Sequence, residues 1–182
     1  TTRAGDSGQT TLGDGSSIAK TDIRVQAMAA VDELNAQLGF VKLLCPADGG
    51  WAEQIQHQLF DIGGDLCLPD QHFFSDEGLE ALSADGERWN QQLPPLEEFV
   101  LPGQNLASSY CHSARTLCRR SEILLWQLAE QDSRFNISCA QFLNRLSDVL
   151  FILARIYARQ DGDETQWQKR SASPSDQDKS SS

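Results

Sequence analysis

The stretch QFLNRLSDVLFILAR, residues 141–155, decides the fold class. Its apolar side chains recur at steps of three and four residues, the spacing that places them on one face of an α-helix. We expect this helix to begin near Asn136. Its apolar face comprises Phe142, Leu146, Val149, Leu150, Leu153 and Tyr157.

The same periodicity predicts four more helices earlier in the chain. The first follows the capping pair Thr21-Asp22 and ends near Cys45-Pro46, and the second runs from about Trp51 to just before Pro69. The third, marked by Leu79, Leu82 and Trp89, is shorter and is broken by Pro94-Pro95, and the fourth carries Tyr110, Ala114, Leu117, Leu124 and Leu128. No segment alternates convincingly with the period of two that is typical of a β-strand. The predicted fold is therefore all-α, a five-helix bundle.

Two polar segments flank the helical region, residues 21–160. Residues 1–20 are dense in Gly, Ser, Thr and Asp, which is typical of a loop. Residues 161–182 end in SASPSDQDKSSS and contain few apolar side chains, so they predict a disordered polar tail. The expected organisation is an N-terminal loop, one bundle domain and a tail.

Composition and charge argue against several classes of function. The chain has 182 residues, with 15 basic and 26 acidic side chains and a formal net charge of −11. This balance argues against non-specific binding to nucleic acid or to an anionic membrane, because both require a cationic face. No apolar run approaches the ~20 residues of a membrane span, and no signal-peptide pattern opens the chain. We therefore expect a cytoplasmic protein.

The cysteines and histidines do not predict a metal site. The five cysteines are irregularly spaced and include no CxxC pair, so we expect reduced thiols that pack in the core. None of the three histidines has a glutamate three residues before it, as the di-iron bundles require.

The fourth helix carries the most informative polar cluster, SARTLCRRSE, residues 113–122. Arg115, Arg119 and Glu122 fall within about 60° of one another around the helix and form one polar stripe beside the apolar one. Guanidinium groups in this position suit phosphate oxygens, or a buried carboxylate on a neighbouring chain. The alternative is a solvated helix face with an Arg119–Glu122 ion pair.

Polar residues on two other helices raise the same question. On the fifth helix, Asn144 and Asp148 lie one turn apart. The Asn144 amide can hydrogen-bond a ligand or a partner backbone, and it can equally be an ordinary surface group. On the first helix, Asp32 needs a cationic partner if it is buried, and Arg115 is the natural candidate. The alternative for Asp32 is the exposed face of an acidic protein.

The N-terminal loop interleaves glycines with hydroxyl residues, Arg3 and Lys20. Such a segment can wrap an oligophosphate with backbone N–H groups and a few cations. It is not a Walker A loop, because Asp14 and Ala19 occupy the positions where that motif requires glycine. Taken alone, the composition favours a disordered segment over a phosphate-binding one.

Four blocks, in this order, resemble the PduO-type ATP:cob(I)alamin (corrinoid) adenosyltransferases. They are TRAGDSGQTTLGDG with a following AK, RVQAMAAVDELNAQLG, FVLPG with HSARTLCRRSE, and FLNRLSDVLFILAR. The resemblance spans roughly residues 2–159, and RTLCRRSE and NRLSDVLF are its most specific blocks. It implies a homotrimer of five-helix bundles with active sites between subunits. It also implies that cob(I)alamin attacks C5′ of ATP, with Mg²⁺ bridging the phosphates, to give adenosylcobalamin and triphosphate.

The resemblance assigns roles to individual residues. ATP would be bound by Thr2, Arg3, Ala4, Gly5, Thr10, Thr11, Lys20, Arg119, Arg120, Glu122 and Asn144. Asp32 and Arg115 would pair across the subunit interface and, with Arg119, support the reaction. Phe99 matches an aromatic residue that displaces the lower ligand of cobalamin, which makes Co(II) easier to reduce. Partners would include a reductase that supplies cob(I)alamin and an enzyme that uses adenosylcobalamin.

The chain departs from the family pattern at Leu12–Gly15, at Gln104 and at Ile123. In place of Leu12–Gly15, the family often has an aromatic residue followed by Gly-Gly or Gly-Glu. A small residue is common in place of Gln104, and a basic residue is usual in place of Ile123. These departures leave the reacting framework in place. They motivate one alternative function, a non-catalytic corrinoid or nucleotide carrier or sensor on the same bundle.

Overall fold

The computed structural model describes residues 5–169 and is mostly helical, which confirms the prediction of five helices. The helices are α1 (Ile23–Leu44), α2 (Gly49–Cys67), α3 (Asp76–Asn90), α4 (Leu106–Gln131) and α5 (Ser138–Ala158). Two short 3-10 helices, Pro46–Asp48 and Arg159–Asp161, follow α1 and α5. Within residues 5–169, no helix combines the length and apolar character that crossing a bilayer would need.

Local sequence explains where the long helices begin and end. The Asp22 carboxylate caps α1 by accepting from the backbone N–H of Arg24, and Asn105 caps α4 by accepting from Ser108. Pro46 follows the last residue of α1 closely and has no N–H to continue the helix. The predicted boundaries of α1 and α2 are correct to within about two residues, the usual uncertainty of helix ends.

Helix α5 is the most buried of the five helices. It packs against α3 and α4, while α1 packs against α2 and α4. The predicted apolar face of α5 is confirmed, since Phe142, Leu146, Val149, Leu150 and Leu153 are fully buried. The five cysteines are thiols as expected, and all except Cys67 are buried.

Two polar segments are more ordered than the sequence suggested. Residues 9–19 form a hairpin of two antiparallel strands, β1 (Gln9–Thr11) and β2 (Ser17–Ala19), where we expected only a loop. The prediction of a tail from residue 161 is wrong for residues 164–167, because Glu164 is buried and Gln166 pairs with Val100 in a β-bridge. The remainder of the predicted tail, residues 170–182, lies outside the described residues.

A buried ionic junction ties three helices together near one end of the bundle. The guanidinium of Arg24, at the start of α1, donates to the Leu66 carbonyl of α2 at 2.9 Å and to the Asp132 carboxylate at 2.7 Å. Asp132 is the C-cap of α4 and also accepts from the backbone N–H and the guanidinium of Arg134. These Arg134 hydrogen bonds, and secondarily the charges of Arg134 and Arg24, lower the pKa of Asp132 to about 2.

Replacing Asp132 with Asn is expected to destabilise the fold by on the order of 2 kcal/mol at pH 7, because it leaves the buried Arg24 charge without a carboxylate. The folded-state pKa of Asp132 is lowered, so its ionised carboxylate stabilises the fold fully above pH 4–5. This stabilisation is lost as the pH falls towards 2. Chemical denaturation at pH 7 and pH 3 measures this difference. The matched control is Asp70→Asn, which removes an exposed partner of Arg134. If the difference in free energy of unfolding between wild type and Asp132→Asn were as large at pH 3 as at pH 7, the stabilising role assigned to the Asp132 carboxylate would be contradicted.

Candidate functional site

Two arginines on α4 stand out because they have no acidic partner in the described part of the chain. Every other arginine in residues 5–169 lies within 4 Å of a carboxylate, but Arg115 and Arg119 do not. The ion pair between Arg119 and Glu122, which the sequence left open as an alternative, is not formed. Instead Glu122 accepts a hydrogen bond from the Trp126 indole at 3.2 Å. The polar stripe of α4 therefore presents two uncompensated guanidinium groups.

Arg115 is held against an aromatic ring at the α4–α5 interface. Its guanidinium carbon lies 5.8 Å from the centre of the Phe151 ring, and its buried Nε has no hydrogen-bond partner among the described residues. Burial, and secondarily the charge of Arg119, lower the pKa of the Arg115 guanidinium. An arginine nonetheless stays charged in a protein, so this group still needs an anionic partner.

His112, one turn before Arg115, is a buried residue that the sequence did not single out. Its ring lies 6.0 Å from that of Phe151, and neither ring nitrogen has a partner among the described residues. Burial, followed by the charge of Arg115, lowers the pKa of His112. The imidazole is therefore neutral at pH 7 and adds no positive charge beside Arg115.

Asn144 of α5 follows directly on a contact between α4 and α5. The thiol of Cys118 donates to the Leu143 carbonyl at 3.0 Å, which fixes the level of α4 against α5. Arg119 and Asn144 are the next residues along their respective helices, and both are exposed. Arg119 and Asn144, with Glu122 about one turn further along α4, are therefore the polar side chains nearest in sequence to this α4–α5 contact.

Arg120 points to a different helix. Its guanidinium pairs with Glu33 of α1, and the neighbouring Ser121 hydroxyl donates to the Ala30 carbonyl at 2.9 Å. The role of Arg120 in binding ATP stays a prediction.

The hairpin brings four of the predicted nucleotide ligands together. A polar cavity of about 320 Å³ is lined by Gly5, Gln9, Thr10, Thr11 and Ser17. Lys20 closes over Gly5 so tightly that a Cβ at Gly5 would lie 2.6 Å from the Lys20 Nζ. Gly5, Thr10, Thr11 and Lys20 are therefore neighbours, whereas Thr2, Arg3 and Ala4 lie outside the described residues.

The tip of the hairpin is anchored to the bundle. Leu12 is buried, and the backbone N–H of Gly13 donates to the Cys67 carbonyl at the end of α2 at 3.1 Å. A Cβ at residue 13 would lie 2.9 Å from the Leu68 side chain and 3.0 Å from the Cys67 thiol, so these two side chains would have to shift to admit it. Leu12 is thus an apolar anchor within residues 1–20, whose composition indicates only a loop.

Asp32 lies on a different side of the protomer from the arginine pair. It lines a cleft of about 510 Å³ between α1 and α2, whose other walls are mostly apolar and include Met28, Leu59, Phe60 and Cys67. Asp32 is exposed and has no ion-pair partner among residues 5–169. The structure thus does not bring Asp32 to Arg115 within one protomer.

Phe99 is 77% exposed, on the linker between α3 and α4. Its carbonyl accepts from the backbone N–H of Trp167 at 2.7 Å. Arg155 also donates to the Pro94 carbonyl of this linker and pairs with Glu164, so three residues that the sequence did not single out, Arg155, Glu164 and Trp167, hold the linker in place. A lone Trp in an otherwise polar C-terminal stretch was the available signal.

Comparison with known proteins gives a consistent result. The family model described as cobalamin adenosyltransferase matches residues 1–157. A cobalamin adenosyltransferase of Cupriavidus metallidurans is 40% identical over 92% of this chain and 93% of its own length. A corrinoid adenosyltransferase of Mycobacterium tuberculosis is 40% identical over 89% of each.

Solved structures agree with the sequence relatives. A variant of the PduO-type ATP:corrinoid adenosyltransferase of Lactobacillus reuteri, complexed with cobalamin and ATP, is similar with a TM-score of 0.83 and 31% identity. The similarity covers 92% of this chain and 96% of that one. Together with the matching family model, these similarities show that the chain belongs to the cobalamin adenosyltransferase family.

Proposed function

We propose that this protein transfers the 5′-deoxyadenosyl group of ATP to the cobalt of cob(I)alamin, forming adenosylcobalamin and releasing triphosphate. The observation that carries the proposal is the pair of arginines on α4, Arg115 and Arg119, which have no carboxylate partner among residues 5–169. The relatives named corrinoid adenosyltransferases, and a similar structure complexed with cobalamin and ATP, support the same activity.

The proposed reaction needs charge stabilisation and alignment more than proton transfer. Co(I) attacks C5′ of ATP, a cobalt–carbon bond forms, and the C5′–O bond breaks with its electron pair leaving on the triphosphate. The cobalt is the nucleophile, so no general base is required. A guanidinium positioned at the leaving phosphates stabilises the charge that develops there. We assign this role to Arg119, with Glu122 and Asn144 orienting the nucleotide.

The hairpin would hold the other side of the nucleotide. Lys20 supplies a cation, and Thr10 and Thr11 supply hydroxyl and backbone groups around the polar cavity. Within residues 5–169 no group of three or more potential metal-ligating His, Cys, Asp or Glu side chains converges. If Mg²⁺ accompanies the nucleotide, Glu122 is the carboxylate of the α4 stripe that would be available to it. Mg²⁺ would neutralise charge on the triphosphate.

We infer that the protein assembles as a homotrimer with one site at each subunit interface. Arg115 lies on the α4–α5 face, whereas Asp32 lies in the α1–α2 cleft, and neither has an ion-pair partner within residues 5–169. Contact between the α4–α5 face of one protomer and the cleft of the next would pair the two charges and cover the apolar walls. Such a head-to-tail contact gives a closed ring where its rotation closes and an open filament where it does not, and the proposal takes the closed form. Three copies are the number that the resemblance implies.

Phe99 is the residue we assign to the corrinoid. A large aromatic side chain that is 77% exposed can displace the lower ligand of cobalamin and occupy its place. The reaction also requires one-electron reduction of Co(II) to Co(I), so a reductase must supply the electron. An enzyme that uses adenosylcobalamin would take the product.

Anaerobic incubation with MgATP and chemically reduced cob(I)alamin tests the proposed activity. The expected result is a spectral change to adenosylcobalamin with release of one triphosphate per turnover. Stoichiometric binding of cobalamin and ATP without product would instead identify a carrier or sensor, and it would contradict the proposal.

Gly5→Ala is expected to raise the KM for ATP about fivefold with a smaller change in kcat, because a Cβ there would displace the Lys20 ammonium. Initial rates over a range of ATP concentrations measure the effect. Gly50→Ala is the matched control, since nothing lies within 4 Å of a Cβ at that position. An unchanged KM for ATP in Gly5→Ala would contradict a role for Lys20 in binding ATP.

A further inference from the structure

The segment that carries Phe99 is one strand of a short ribbon, and the C-terminal residues 165–167 form the other. Val100 and Gln166 make an antiparallel bridge. On either side of it, the backbone N–H of Leu101 donates to Thr165 at 2.8 Å, and that of Trp167 donates to Phe99 at 2.7 Å. In the part of the chain that the structure describes, residues 95–101 make no other hydrogen bonds. The ribbon is therefore what fixes the backbone at Phe99.

One face of this ribbon is apolar and exposed. Phe99 is 77% exposed, and Leu101 and Trp167 are each 44% exposed. Residues directly opposite each other in an antiparallel pair share a face, so Phe99 and Trp167 lie on the same side. Val100 and Gln166 occupy the other face and are half-buried. The ribbon thus has a packed side and a side that presents large apolar groups.

A buried arginine connects the ribbon to the bundle. Arg155 of α5 donates from Nε to Glu164 at 2.7 Å and from Nη2 to the second Glu164 oxygen at 3.1 Å. The same Nη2 donates to the Pro94 carbonyl at 3.0 Å, at the start of the Phe99 linker. The side chains of Arg155 and Glu164 are only 5% and 2% exposed. A bidentate pair with this burial fixes both strands at one point.

We propose that Glu164 and Trp167 are positioning residues for the corrinoid: residues 164–167 brace the linker so that Phe99 is held where the lower ligand of cobalamin must leave. This inference rests on the proposed function of Phe99. Trp167 acts through its main-chain N–H, and Glu164 acts through Arg155. An unbraced Phe99 would sample many orientations, and misplacement of a positioning group by about 1 Å costs up to ~100-fold in rate.

The chemistry gives this role a distinctive signature. Cob(II)alamin gains one electron from a reductant such as a reduced flavin and becomes cob(I)alamin, whose cobalt has no lower ligand. Cob(I)alamin prepared in advance has already lost that ligand. A faulty brace should therefore slow the reaction that starts from cob(II)alamin and spare the one that starts from cob(I)alamin.

Trp167→Pro is the sharpest test, because it removes the N–H that donates to Phe99. Starting from cob(II)alamin with reduced flavin, we expect turnover about tenfold below wild type. With pre-reduced cob(I)alamin, the rate should stay within twofold. Gln168→Pro, which places the same ring one residue beyond that hydrogen bond, and Trp167→Ala, which keeps the N–H, should both resemble wild type. Equal losses in the two assays, no loss in either, or an equal effect of Trp167→Ala would overturn the proposal.

Glu164→Gln provides a second and independent variant. Electron paramagnetic resonance of cob(II)alamin bound with MgATP reports whether the lower nitrogen ligand has left the cobalt. We expect a smaller four-coordinate fraction in Glu164→Gln and Trp167→Pro than in wild type or in Glu53→Gln, which breaks an exposed ion pair. Identical spectra would overturn the proposal. Because this measurement needs no turnover, an inactive wild type would refute the proposed function without obscuring the result for the brace.

Discussion

Arg119→Ala is expected to lower turnover by about 10²–10³-fold while leaving the bundle folded. Arg119 is exposed and has no carboxylate partner within residues 5–169, so its removal breaks no ion pair seen in this protomer. The loss should fall mainly on kcat, because the guanidinium acts on charge that develops as triphosphate leaves. Steady-state kinetics with pre-reduced cob(I)alamin, together with thermal unfolding, measure both parts of this expectation.

The matched control for Arg119→Ala is Arg88→Ala. Arg88 is also an exposed helical arginine, but it lies on α3, where it pairs with Asp85. We expect its turnover to equal that of wild type. If Arg119→Ala kept more than half of wild-type turnover, the guanidinium would have no part in the chemistry.

Mixing two inactive variants is expected to restore activity if each site is shared between protomers. Lys20→Ala damages the hairpin, and Arg119→Ala damages the α4–α5 face. In a trimer of randomly mixed subunits, about a quarter of the interfaces would combine an intact hairpin with an intact helix face. Co-expression of the two chains should thus recover up to about a quarter of wild-type turnover.

The same experiment has a clear negative outcome. A site formed within one protomer would be damaged in every chain, so the mixture would be as inactive as its components. Co-expression of Arg119→Ala with Asn144→Ala is the control, because both changes lie on the α4–α5 face. That mixture contains no chain with an intact face and should show no recovery.

The helices could be predicted from the sequence because burial in a bundle leaves a regular trace. The apolar residues of α5 recur with the helical period, and Asp22 occupies the capping position that the sequence predicted for α1. The arginine stripe could be found for the same reason, since Arg115 and Arg119 share a face. The lack of a carboxylate partner for either arginine among residues 5–169 could not be predicted, because it depends on contacts between distant residues.

The hairpin and the ribbon were missed because their order does not come from local periodicity. Strands of three residues are too short to show an alternating pattern, and a single buried side chain, Leu12, anchors the hairpin. In the ribbon, Glu164 is ordered by a guanidinium nine residues earlier in the chain. Composition marks such segments as polar, but their order follows from specific tertiary contacts.

Cys67 joins two parts of the molecule that would otherwise be independent. Its side chain lines the α1–α2 cleft, and its carbonyl accepts the hydrogen bond that holds the hairpin tip. Occupation of the cleft by a neighbouring protomer and occupation of the hairpin by ATP would therefore favour the same placement of the end of α2. Coupling of this kind is reciprocal. We expect bound ATP to reduce the dissociation of the subunits on dilution. For the same reason, the apparent affinity for ATP should rise with protein concentration.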